Sequence, residues 1–143
     1  MLGMTSQKTE VDQIPEEFQV LRYETPVTER RKITTPMGDT DILTAFIQVV
    51  KEGGENALHT HTAQDAFWMV LSGRIRFYGE GDVVLAELGR HEAMIIKRGA
   101  RYWFESASDE PLEVLRVAAI DRDLKNERVA FGPRRASADA PSP

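Results

Sequence analysis

Two of the chain's three histidines, His59 and His61, stand one residue apart in the segment GGENALHTHTAQDAFWMVLSG, which runs from Gly53 to Gly73. In an extended strand, residues two apart project to the same side, so both imidazoles face one way and can share a metal ion or a substrate. The sequence has no cysteine, so any metal has to use imidazole, carboxylate or phenolate donors. Imidazoles select a divalent transition ion such as zinc, nickel, iron or manganese over magnesium or calcium. Without a metal, a neutral histidine of ordinary pKa near 6.5 accepts a proton at cellular pH, and the pair becomes a site of acid–base chemistry.

The elements that must position this pair read as strands. Short apolar or alternating runs recur along the middle of the chain: ILTAFIQVV, NALHTH, AFWMVLS, RIRFYG, DVVLAEL, EAMIIK, RYWFES and PLEVLRVAAI. The separators MGDTD, KEGGEN, LSG, GEGD, LGRHE, KRGA and SASDEP carry the glycine, aspartate and asparagine that turns require. Short strands at even spacing predict an all-β sandwich or barrel. The 143 residues suffice for one domain with its own core. Boundaries are expected at an N-terminal arm over 1–32, a barrel over 33–121 and a C-terminal extension over 122–143. PEEFQVLRY in the arm offers at most a short helix opened by Pro15. The closing GPRRASADAPSP is too poor in large hydrophobes to offset its ordering entropy and is expected to be disordered.

The histidine segment resembles the first motif of the cupins: glycine, five residues, His-X-His, three or four residues, glutamate, six residues, glycine. Gly53, His59, His61 and Gly73 fit it, while the glutamate position falls on Ala66. The second cupin motif is faint in HEAMIIKRGARYWFES. Gly99 takes the turn glycine, Lys97 the proline position, Tyr102 the histidine and Ser106 the asparagine. The resemblance covers residues 40 to 120 and implies a double-stranded β-helix, the jelly-roll barrel of that family. It also implies a pocket on the face shared by His59, His61, Ala66, Trp68, Tyr102 and Phe104, an aromatic cavity of the kind that holds a small organic molecule.

Within that frame His59, His61 and Tyr102 are the catalytic candidates, with Trp68, Phe104, Arg101 and Gln64 as substrate contacts. If a divalent transition metal binds, His59 and His61 hold it, with Asp65 or Tyr102 as a third ligand. Arg74, Arg76 and Arg116 are further arginines near the pocket strands, but Arg101, beside Tyr102, is preferred for gripping a substrate anion. Metal-free cupins that use a histidine and a tyrosine beside a carbonyl suggest proton-transfer chemistry of the isomerase, dehydratase or lyase kind. The alternatives are a non-catalytic binding or sensor cupin and a metal-dependent dioxygenase. His91, following LGR, reads as a surface residue.

Net charge is −5 with signs intermixed, which argues against nucleic acid as a partner. The N-terminus shows no export signal, and no stretch approaches the roughly 20 apolar residues a membrane span needs. A cytoplasmic protein is therefore expected. Phe67, Met69 and Leu71 alternate away from the pocket face, and their face needs a cover. A second subunit, giving a homodimer, is the expected one, and the N-terminal arm is the alternative.

Overall fold

The computed structural model describes residues 13–132. Its strands are β1 (Lys32–Asp39), β2 (Leu43–Val50), β3 (His59–His61), β4 (Gln64–Ser72), β5 (Ile75–Tyr78), β6 (Val84–Leu88), β7 (Ala93–Ile96), β8 (Trp103–Ser106), β9 (Leu112–Ile120) and β10 (Arg128–Ala130). One layer is a five-stranded sheet in the order β1-β2-β9-β4-β7. The other joins β6-β5-β8 to β3-β10 through a bridge between His59 and Tyr102, whose backbone groups exchange two hydrogen bonds of 3.0 Å. Among the described residues the strand pairings are antiparallel, and the all-β jelly-roll expected from the sequence is the fold found.

Period-2 alternation explains the core. On β4, Ala66, Trp68 and Val70 point inward, and on β9 Leu112, Val114, Arg116 and Ala118 do so, matched in register with them. From the opposite layer Ile75, Phe77, Tyr102 and Phe104 meet them. Phe77 and Phe104 have no exposed surface, and truncating either to alanine would cost about 3 to 5 kcal/mol. Gly73 turns the chain between β4 and β5 at φ 76°, where a Cβ would lie 2.6 Å from the Pro111 carbonyl oxygen, so no other residue fits without a backbone shift.

Three features depart from the sequence reading. The segment over PEEFQVLRY forms no helix: a turn closed by Phe18 N–H to Pro15 C=O is followed by extended chain. A helix of that length is marginal in water, and here the arm bonds to the sheet instead. The Tyr23 and Thr25 hydroxyls both donate to Glu113 at 2.7 Å. Second, β1 had no counterpart among the expected runs. Third, β10 lies inside the C-terminal extension and pairs with the histidine strand, Arg128 opposite His61 and Ala130 opposite His59. The closing residues 133–143 and the first twelve residues lie outside the described part.

The arm runs beside β1, β2 and β9, where Ile47 and Val49 are buried on the outer side. Farther along the same sheet Phe67, Met69 and Leu71 are half-buried, and Ile95 beside Phe67 is 66% exposed. Among the described residues, no helix is long and apolar enough to cross a membrane.

Candidate functional site

A cavity of about 210 Å³ opens between the layers, walled by Phe46, Gln48, Asn56, His59, His61, Trp68, Tyr102, Arg116, Lys32 and Arg128. Asn56 accepts a hydrogen bond from the Phe104 N–H at 2.9 Å, which ties the loop before β3 to β8, just after Tyr102. The His59–Tyr102 bridge fixes the two side chains against each other, with ring centroids 4.4 Å apart.

His59 Nδ1 lies 2.8 Å from the Ala57 carbonyl oxygen. A carbonyl can only accept, so Nδ1 carries the proton and Nε2 keeps its lone pair. His61 packs edge-on, its centroid 5.1 Å from that of His59. Burial holds both imidazoles neutral. His59 is lowered to about 4, by burial and by nearby Arg128, Lys32 and Arg116, against the opposing bond to Ala57. His61 is lowered to about 3 by burial and then by the charge of Arg116. Burial raises the Tyr102 pKa, so its hydroxyl keeps its proton, although Arg116 partly opposes the shift. The Tyr102 hydroxyl, the Trp68 indole N–H and the Gln48 Oε1 are buried without a well-formed protein hydrogen bond. Such groups are costly unless something completes them.

Arg116 is the residue the sequence reading underweighted. It is 3% exposed, donates from Nη2 to Gln64 Oε1 at 2.9 Å, and lies 5.4 Å from the Phe46 ring centre and 5.6 Å from that of Trp68. The preferred Arg101 lies outside the cavity wall, ion-paired with Glu80 at 3.6 Å and stacked over Phe131 at 4.0 Å. Its parity explains this, because residue 101 alternates outward when Tyr102 faces in. Arg74 and Arg76 are both paired with Glu87 on the outer surface. Phe104 stands behind the cavity, 5.1 Å from Trp68, as core. Gln64 borders a narrower cleft with His61, Ala66 and Tyr102. His91 is exposed, in a left-handed turn at φ 68°.

Asp65, one candidate third ligand, turns out of the barrel. It accepts from the Arg98 backbone N–H at 2.8 Å and forms an ion pair with the Arg98 side chain at 3.0 Å. Tyr102, the other, holds its proton. Among the described residues no three histidine, cysteine, aspartate or glutamate side chains gather in a metal-holding group. Two imidazoles beside a buried guanidinium, with alanine at the carboxylate position, do not fit a resident divalent ion, which needs a further donor and no cation alongside.

The sequence matches the cupin domain family over residues 46–118. No curated protein is similar enough in sequence to match it. Among solved structures it is similar to an uncharacterized conserved protein with a double-stranded β-helix domain from Klebsiella pneumoniae, at 19% identity and a TM-score of 0.64, covering 74% of this chain and 84% of that one. KdgF from a Halomonas species is 18% identical, with a TM-score of 0.57 over 71% of this chain and 91% of its own. The cupin domain of an XRE family transcriptional regulator from Enterobacter cloacae is 14% identical, with a TM-score of 0.58 over 65% of this chain and all of its own. With more than half its length matched by that family, the chain belongs to the cupin family.

Proposed function

We propose that the barrel cavity binds a small organic molecule and moves a proton next to a carbonyl group, with His59 Nε2 as base and the Tyr102 hydroxyl as donor. The observation that carries this reading is the bond from His59 Nδ1–H to Ala57, which commits the lone pair to Nε2 beside Tyr102. The base takes a proton from the carbon next to the carbonyl, and the C–H electron pair becomes a C=C bond. Charge moves to the carbonyl oxygen, where Tyr102 donates. Return of the proton to another carbon gives isomerisation. Loss of a hydroxyl or other leaving group from the next carbon gives dehydration or lyase chemistry. No step in this scheme passes through a metal.

The imidazoles are weak bases at pKa values of about 4 and 3, which favours a second reading, a cupin that binds its ligand without turning it over. Similarity to the cupin domain of a transcriptional regulator supports that alternative at the level of fold. Deuterium incorporation from heavy water into keto acids and keto sugars, followed by proton NMR, separates the two. Proton transfer predicts exchange by the native protein that is lost in His59→Gln and Tyr102→Phe. Ligand binding without exchange in the native protein refutes it.

A further inference from the structure

We infer that the ligand of this cavity is a small carboxylate, gripped by Arg116 and carrying an oxygen function on the neighbouring carbon. The inference rests on the reading of the cavity as a ligand site and names what enters it.

The described arginines of this chain fall into two kinds of surroundings. Five on the outer surface have carboxylate partners, Arg74 and Arg76 with Glu87, Arg98 with Asp65, Arg101 with Glu80, and Arg122 with Asp41, and other exposed arginines are held by water. Arg116 is the most deeply buried of them, and among the described residues no carboxylate pairs with it. A guanidinium does not shed its charge, and an uncompensated buried charge is costly. Its protein contacts are a neutral amide, the Tyr102 hydroxyl and two aromatic faces. Lys32 and Arg128 add positive charge to the same cavity, whose wall includes no aspartate or glutamate. Among the described residues, the buried Arg116 guanidinium therefore has no carboxylate to balance it.

The Arg116 guanidinium lies 5.4 Å from the Phe46 ring centre and 5.6 Å from that of Trp68, and its planar fork of N–H donors matches the two oxygens of a carboxylate. The guanidinium also lies beside the Tyr102 hydroxyl. A carboxylate on Arg116 thus puts an oxygen on its adjacent carbon within reach of the Tyr102 hydroxyl and the Trp68 N–H, neither of which has a well-formed protein hydrogen bond. At about 210 Å³ the cavity is below the range of drug-sized sites, so the acid is small.

The test is calorimetric titration of the intact protein with 2-oxobutyrate, 2-oxoglutarate and galacturonate, each beside its methyl ester, and with inorganic phosphate. We expect at least one carboxylate to bind saturably and its ester about 10-fold or more weakly. Arg116→Gln should weaken the acid by about 10- to 100-fold. Arg128→Gln, at an exposed position on β10, should weaken it less and reduce its salt dependence. If Arg116→Gln does not fold, the ester comparison and Arg128→Gln decide. Equal binding of acid and ester, preference for phosphate, or no binding by any of the three acids overturns the inference. Carboxylate binding without deuterium exchange would retire the proton-transfer reading and keep this one. Exchange in neutral keto sugars without carboxylate binding would do the reverse.

Discussion

Replacing Arg116 by methionine should make the ligand-free protein more stable. The guanidinium is 3% exposed and has no carboxylate partner among the described residues. Its desolvation costs several kcal/mol, reduced here because the cavity leaves part of the group open to water. Against this stand the charge-assisted bond to Gln64, about 1.5 to 3 kcal/mol, and two cation–π contacts of about 0.5 to 1 kcal/mol each. Methionine keeps the length, buries its whole side chain against Phe46 and Trp68, and lets the half-buried Gln64 return to solvent. Buried ionic groups replaced by apolar ones of similar volume gain about 1 to 4 kcal/mol, and we expect the low half of that range. At about 3 °C per kcal/mol for a chain of this size, the melting temperature should rise by about 3 to 8 °C. Urea unfolding at pH 7 without ligand measures it, with the slope m as a check that compactness is unchanged. A loss of 1 kcal/mol or more would refute the claim that Arg116 is an uncompensated charge.

Three further outcomes follow from the same geometry. Both pocket histidines titrate below their unfolded value of 6.5, so the unfolded chain binds more protons and stability falls as pH drops from 6.5 toward 4. His59 and His61 should each remove about 1.5 kcal/mol between pH 6.5 and 5, and urea midpoints of His59→Gln/His61→Gln should lose most of that slope. Tyr102→Phe removes a buried hydroxyl that has no well-formed hydrogen bond, so its unfolding free energy should stay within about 1 kcal/mol of native while deuterium exchange disappears. The strip of Phe67, Met69 and the exposed Ile95 predicts a dimer by sedimentation equilibrium that Ile95→Glu shifts toward monomer; a monomeric native protein would leave that strip without a role.

Much of the barrel was legible because its strands obey one rule. Alternation on AFWMVLS and PLEVLRVAAI sorts core from surface, and glycine at 73 marks a turn that only glycine tolerates. The same rule held the clue to Arg116. In LEVLRVAAI it falls in phase with Leu112, Val114 and Ala118, and an arginine on the core face of a strand asks for an explanation. Proximity to Tyr102 in sequence drew attention to Arg101 instead, although adjacent strand residues face opposite ways. Lys32 and Arg128 carried no local signal. They reach the cavity because β1 flanks β2 and because β10 returns to pair with β3, and such long-range pairing is written in no short window of sequence. The turn at Pro15, where a helix had a weak case, reflects the sheet's hold on Tyr23 and Thr25 rather than local propensity.

The most direct measurement is the nitrogen-15 NMR spectrum of the His59 ring at pH 7, assigned against His59→Gln. The account predicts a neutral imidazole with its proton on Nδ1 and an unprotonated Nε2, as the bond to the Ala57 carbonyl requires. A proton on Nε2, or an imidazolium at that pH, would leave no base facing the cavity and contradict the proposed chemistry.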